Sequence, residues 1–263
     1  MGDSTMIMKT RYQQKGFTLV ELAIVLVIVG VLLGGFIGTL ASRIENTRKS
    51  ETINELEDIK QAMMAYAFVN GNLPCPDCDI AVAGGCLAAD LNDGLADFIV
   101  GGGSCKEGQT AGNVPWATLG LGRSDAWGTR YRYIVQNVYA NNAAAFTLNG
   151  ASGPAGFATI VEPDFIADAT GAVSQTLANN IVAVIMSQGK NGFGGISENN
   201  VARAAVPAAN IDEANNTNND NTFYMRPETS PDSTIAGGEF DDIVIWISEY
   251  ELKAKMVEAG ALP

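Results

Sequence analysis

The sequence predicts an α+β protein: a long N-terminal α-helix, its first half transmembrane, packed on a small antiparallel β-sheet. Three observations carry this. Leu22 to Ala41 contains no charged residue, a length of helix that spans a bilayer. Ile44, Ile53, Leu56, Ile59, Met63 and Tyr66 then recur mostly at three- or four-residue steps, the period of an amphipathic helix. Beyond residue 71 the chain turns rich in Gly, Asn and Asp, with short β-prone runs between turn signals.

The elements follow in order. Residues 1–16 are polar and carry Lys9, Arg11 and Lys15, and basic residues beside an apolar run predict that this flank stays cytoplasmic while the rest is exported. An ordinary secretory signal has its small-residue cleavage site after the apolar run. Here the distinctive small residue, Gly16, precedes it, so cutting there would leave the apolar helix on the product. The helix is expected to run from Phe17 to about Val69, roughly 80 Å at about 1.5 Å per residue. It should stop at Asn70-Gly71, with Pro74 just beyond. The expected division is a leader at 1–16, a helix at 17–70 with 17–41 in the membrane, and a globular domain at 71–263.

Strands are expected at Tyr131–Tyr139, Ala144–Leu148, Phe157–Val161, Ile181–Met186 and Ile243–Ser248. Residues 210–222 are polar and nearly patternless, which reads as a loop without function. Leu252, Met256 and Ala259 stand at helical spacing before Gly260, which predicts a short closing helix.

Composition excludes much. The net charge is −13, a surface that repels nucleic-acid phosphates, so no nucleic-acid partner is expected. The chain has no histidine, which removes the commonest general base, the commonest metal ligand and the usual partner of a nucleophilic Ser or Cys. No enzyme is expected.

Glu21 is the informative residue of the apolar segment, since an ionisable group at the edge of a membrane helix needs a partner. Cleavage after Gly16 would create one, a new amine on Phe17 one turn away. Lys15-Gly16-Phe17-Thr18-Leu19-Val20-Glu21-Leu22 resembles the signal of type IV prepilins and type II secretion pseudopilins. The resemblance implies cleavage between Gly16 and Phe17 by a prepilin peptidase, N-methylation of Phe17, and Glu21 as the carboxylate that meets the amine of a neighbouring subunit during assembly. It implies a minor pilin or pseudopilin, in the bacterial inner membrane with its C-terminal domain periplasmic. Its partners would be other subunits and an inner-membrane assembly platform. The tip subunit of such filaments typically lacks this glutamate, so a body or near-tip position is expected. A filament-associated adhesin or cargo-binding subunit is the alternative.

Cys75, Cys78, Cys86 and Cys105 would then lie in an oxidising compartment and form two disulfides. Of three possible pairings, Cys75–Cys105 with Cys78–Cys86 is preferred, because a Cys75–Cys78 link would leave the other two to close a loop alone; the sequence leaves the choice open. Asp125-Ala-Trp127-Gly128-Thr-Arg-Tyr131-Arg-Tyr133 resembles an element of the major secretion pseudopilin. Asp there can bond its own turn, Gly take a positive φ, and the aromatic residues cover the sheet.

Ser187-Gln-Gly189-Lys-Asn191-Gly192, with Asp241 and Asp242 much later, resembles that family's calcium-binding loop. Asn191 stands where the pattern has an acid, and a long insertion precedes Asp241. Ser187, Asn191, Asp241 and Asp242 are thus the candidate calcium ligands, short of the six to eight oxygens that the ion takes, and no other cofactor is expected. Asp90-Leu-Asn92-Asp93-Gly94 has the composition of a calcium loop, but its glycine is out of register for an EF-hand; it reads as a turn. Leu73–Asp77, Val114–Gly122 and Ala259–Pro263 resemble segments of a subgroup of long prepilin-like proteins.

Overall fold

The computed structural model describes residues 16–81, 85–99, 103–106, 111–141, 146–148, 158–162, 175–218, 221–232, 234–235 and 237–262, with the side chains of 33–39 excepted. Most of the expected leader, and parts of the strands expected at Ala144–Leu148 and Phe157–Val161, lie outside these. The chain divides into two compact units, residues 1–47 and 48–263.

Helix α1 spans Leu19–Asn70, 52 residues. No proline interrupts it. It ends where the pattern predicts: Gly71 takes φ +76°, and its N–H bonds the Ala67 carbonyl at 2.8 Å, an αL stop that glycine adopts without a Cβ penalty. Among the described residues no helix is long and apolar enough to cross a membrane. Within the uncharged run the described side chains are those up to Leu32 and those of Leu40 and Ala41, which together fall short of the ~20 residues a crossing takes. In the first unit the apolar side chains from Leu19 to Leu32 are all exposed.

In the second unit α1 contributes residues from Arg48 onward. Its buried stripe is Leu56, Ile59, Met63, Met64 and Ala67. Within this unit the expected stripe is off at its start, since Ile53 is exposed and Thr52 takes the buried position; Ile44, which belongs to the first unit, is exposed.

The sheet has six strands: β1 Ala111–Asn113, β2 Arg132–Val135, β3 Ala158–Glu162, β4 Gln175–Ser187, β5 Thr222–Tyr224 and β6 Ile243–Ser248. β4 is the hub, pairing antiparallel with β2, β3 and β6, and β1 pairs with β2. The sheet differs from expectation in one pair: β5 runs parallel to β3, Ile160 opposite Phe223. A parallel pair needs a long crossover, and the chain between β3 and β5, which contains β4, supplies it. At Ala144–Leu148 the described residues, 146–148, are not strand.

Alternation along β4 from Ala183 to Met186 separates two cores, and a register shift between Ile181 and Ala183 puts Ile181 on the face of Val184 and Met186. Ala183 and Ile185 face the core of α1, Tyr131, Tyr133 and Ile247. Ile181, Val184 and Met186 face a second core with Ile134, Ile160, Phe223 and Val244. Burial on both faces explains why Ile181–Met186 reads as an unbroken apolar run. The first core is closed by α4, Glu249–Glu258, through Leu252 and Met256. Ser248 caps α4 by accepting from the Glu251 N–H, and Lys60 of α1 pairs with Glu251 at 2.8 Å.

A short helix α2, Trp116–Leu119, leads to the Asp125 turn. Cys75 is bonded to Cys105 and Cys78 to Cys86. The segment expected to be a featureless loop contains helix α3, Ile211–Thr217, with Asp212, Glu213 and Asn216 buried. Asn and Asp favour caps and turns when exposed; here inward bonds outweigh that preference. The Asn216 side chain both accepts from the Tyr224 N–H (2.7 Å) and donates to the Tyr224 carbonyl (3.1 Å), and Asp212 pairs with Arg226 at 2.7 Å.

Candidate functional site

Two places gather the residues that the sequence singles out. The first is the start of α1. Thr18 and Glu21 form a reciprocal cap: the Thr18 N–H and hydroxyl both donate to Glu21 Oε2 (2.8 and 2.9 Å), and the Glu21 N–H donates to Thr18 Oγ1 (3.2 Å). Spacing of three residues between a hydroxyl and a carboxylate allows this capping box. Phe17, outside the helix, is 87% exposed. A Cβ at Gly16 would touch nothing within 4 Å among the described residues.

The second place lies where β6 begins. The carboxylates of Glu213, Asp241 and Asp242 each offer an oxygen within 4.8 Å of the others. Asp241 and Asp242 come together by adjacency; Glu213 arrives on α3, from the segment expected to be loop, and adds an acid where the motif has Asn191. Asn191 supports the group: its backbone N–H donates to Asp241 Oδ2 (2.9 Å) and its side chain to Glu213 Oε1 (2.8 Å). Asn210 donates to Glu213 Oε2, and Asn216 to Asp242 Oδ2. Ser187 does not join the group. Its hydroxyl donates to Asp125 Oδ2 at 2.6 Å and accepts from the Gly189 N–H, because β4 carries it toward the Asp125 turn.

Electrostatics follow from burial. Asp241 is pushed up to about 7, first by burial, against the Asn191 N–H bond that favours the charged form. Asp242 is raised well above its ordinary value and Glu213 is raised, again chiefly by burial. Asp241 Oδ1 is buried without a hydrogen-bond partner among the described residues. Three carboxylates with a free oxygen among them fit a hard cation such as calcium. Gly189 is required here: its φ is +59°, and a Cβ would lie 2.3 Å from the Asp241 carbonyl oxygen. Beside the acids opens a cavity of about 400 Å³ lined by Lys49, Ile53, Met225, Arg226 and Asp241, among others.

The Asp125 turn and its tyrosines behave as the sequence predicts, while Trp127 is half-buried and belongs to neither core. Asp125 Oδ1 accepts from the Trp127 and Thr129 N–H groups, Gly128 has φ +76°, and Tyr131 and Tyr133 are buried on the first core. The Tyr131 hydroxyl donates to Glu55 of α1, and that of Tyr133 to the Pro74 carbonyl.

Residues 11–37 match the model of the prokaryotic N-terminal methylation motif. The chain carries the prepilin-type signal. No curated protein and no solved structure matches the chain. The prepilin-type signal covers Gly16, Phe17, Thr18 and Glu21, so the capped start of α1 falls inside it. It supports a protein of the type IV pilin and pseudopilin kind. Glu213 was not legible as a site residue, because Asn191, Asp241 and Asp242 are more than twenty residues away in sequence and its own neighbourhood reads as loop.

Proposed function

We propose that this chain is a minor pilin or pseudopilin: a structural subunit, without enzymatic activity, of a type IV pilus-like or type II secretion filament. The observation that carries the reading is the prepilin-type signal at 11–37, with Gly16 and Phe17 placed just before a helix whose first unit exposes an apolar surface. Prepilin peptidase would cut after Gly16, and Phe17 would become the methylated terminus. Residues 17–41 would anchor the subunit in the bacterial inner membrane, with 71–263 in the periplasm. Exposed apolar side chains on such a helix suit lipid before assembly and neighbouring subunits after it.

In the uncut chain Glu21 is satisfied by its own Thr18. On assembly it would give up these bonds, or share them, for the Phe17 amine of a neighbour, a charge-assisted contact stronger than a neutral one. Glu213, Asp241 and Asp242 would hold a calcium ion, which would supply positive charge tying α3 to the start of β6. The adhesin alternative draws less support, since the Asn-rich segment buries Asp212, Glu213 and Asn216 and does not offer them to a partner.

The test is mass spectrometry of the protein recovered from membranes of cells with and without prepilin peptidase. A chain beginning at methylated Phe17 only when the peptidase is present is the expected result. An uncut chain, or a cut after the apolar run, overturns the proposal.

A further inference from the structure

The chain between Cys75 and Cys105 holds a second group of acids that the pilin reading does not use. Asp77, Asp93 and Asp97 each offer a carboxylate oxygen within 4.8 Å of the others. We propose that these three carboxylates form a second calcium-class cation site, separate from the group at the start of β6.

The first argument is geometric. Calcium binds oxygen at about 2.3–2.6 Å, so two of its ligands lie at most about 5 Å apart; the three oxygens meet that limit. All donors are hard oxygens. The cysteines here are bonded to one another and the chain has no histidine, which disfavours zinc and copper.

The second argument is independent of the clustering. Asp77 is fully buried, and its Oδ1 has no hydrogen-bond partner among the described residues. Such an oxygen costs more than a made bond gains. Its other oxygen accepts from the Gly94 N–H at 3.0 Å. Arg130 does not complete the pairing: its Nη1 stays 3.9 Å from Asp77 Oδ2, while its Nη2 donates to the Asn92 carbonyl and Asn200. Lys106 is committed elsewhere, to Asp97 Oδ1 (2.8 Å) and Asp90 Oδ2 (3.0 Å). A dication at the shared oxygens would add to the partial compensation that Arg130 gives Asp77 from 3.9 Å. Burial, together with the charges of Asp93 and Asp97, pushes the Asp77 carboxyl up to about 8, which the same cation would reverse.

The loop is also built to hold a shape. Asn92 and Gly94 take φ of +58° and +84°, and the Asn92 N–H bonds the Cys78 carbonyl at 2.8 Å. The Cys78 N–H in turn donates to Asp97 Oδ2 at 2.8 Å. Asp77 and Asp97 are thereby fixed by backbone on both sides of the Cys78–Cys86 bridge. Asp93 is exposed and, among the described residues, bonds its own turn at the Leu95 N–H, so it is the ligand that can close over an arriving ion.

Trp116 offers a local reporter. Its indole lies against Gly94, where a Cβ would be 2.3 Å from the ring, and a lanthanide bound by Asp93 would receive its excitation. The experiment is terbium luminescence, excited through tryptophan, on the full chain in detergent micelles, with calcium as competitor. The expected result is saturable emission displaced by calcium. It should weaken at least tenfold in apparent affinity in Asp93→Asn, largely disappear in Trp116→Phe, and persist in Asp241→Asn. Asp93→Asn removes an exposed carboxylate and keeps the fold, so the outcome does not depend on the more disruptive Asp77→Asn. Absence of sensitised emission, or emission unaffected by Asp93→Asn and abolished by Asp241→Asn, overturns the proposal.

Discussion

Replacing Cys75 and Cys105 together by alanine should destabilise the globular unit more than replacing Cys78 and Cys86. The two bridges close loops with separations of 30 and 8 residues. Loop-closure entropy then assigns about 3.6 kcal/mol to the first and about 2.5 kcal/mol to the second at 25 °C. Packing widens the gap, because Cys75 and Cys105 belong to the first core beside Leu73 and Tyr133, where lost sulfur leaves an unfilled space. Alanine avoids adding a buried hydroxyl. The assay is equilibrium urea unfolding of the full chain in detergent, followed by tryptophan fluorescence. All three tryptophans, Trp116, Trp127 and Trp246, lie in the unit from residue 48 onward, so the signal reports that unit alone. A Cys78/Cys86 variant as destabilised as the Cys75/Cys105 variant, or more so, would refute the loop-length reasoning.

Three further outcomes are expected. Gly94→Ala forces a Cβ into the Trp116 ring at a positive φ and should cost about 2–4 kcal/mol in the same unfolding assay, whereas Gly122→Ala, which meets nothing within 4 Å, should be near neutral. Burial raises the Asp125 carboxyl above its ordinary 3.8, so the native chain retains this proton to higher pH than the unfolded one and stability falls as pH climbs above about 4; urea midpoints across pH 4–6 should decline less steeply in Asp125→Asn. Thr18→Ala removes both hydroxyl bonds of the Glu21 cap and should loosen the first turn of α1 by about 1 kcal/mol, read as faster amide exchange at residues 19–22 with the exchange of Leu56–Ala67 unchanged.

Much of the fold was legible because its signals are local. The stop of α1 is written in Asn70-Gly71, the closing helix in Leu252 and Met256, and the Asp125 turn in an acid and a glycine three residues apart. The start of the stripe on α1 differs from its pattern by one position, since periodicity does not say which of two neighbouring residues the core takes in. Ile53 stands three residues before Leu56 and stays exposed, while Thr52, four before it, is buried. The short strands β1 and β5 gave no pattern, because three residues hold too little alternation to rise above their turns.

The sequence by itself determined the N-terminal signal, the long helix and its end, the α+β class and a set of four cysteines with an open choice of pairing. Each of these is written within a few residues or in overall composition. Only the tertiary structure decided that an Asn-rich stretch is the helix α3, that it delivers Glu213 to Asp241 and Asp242, that β5 lies parallel to β3, and that Asp77 is buried beside Asp93 and Asp97 with one oxygen unpaired. These depend on contacts between segments far apart in the chain, where burial and hydrogen-bond satisfaction outweigh the weak preferences of Asn, Asp and Gly.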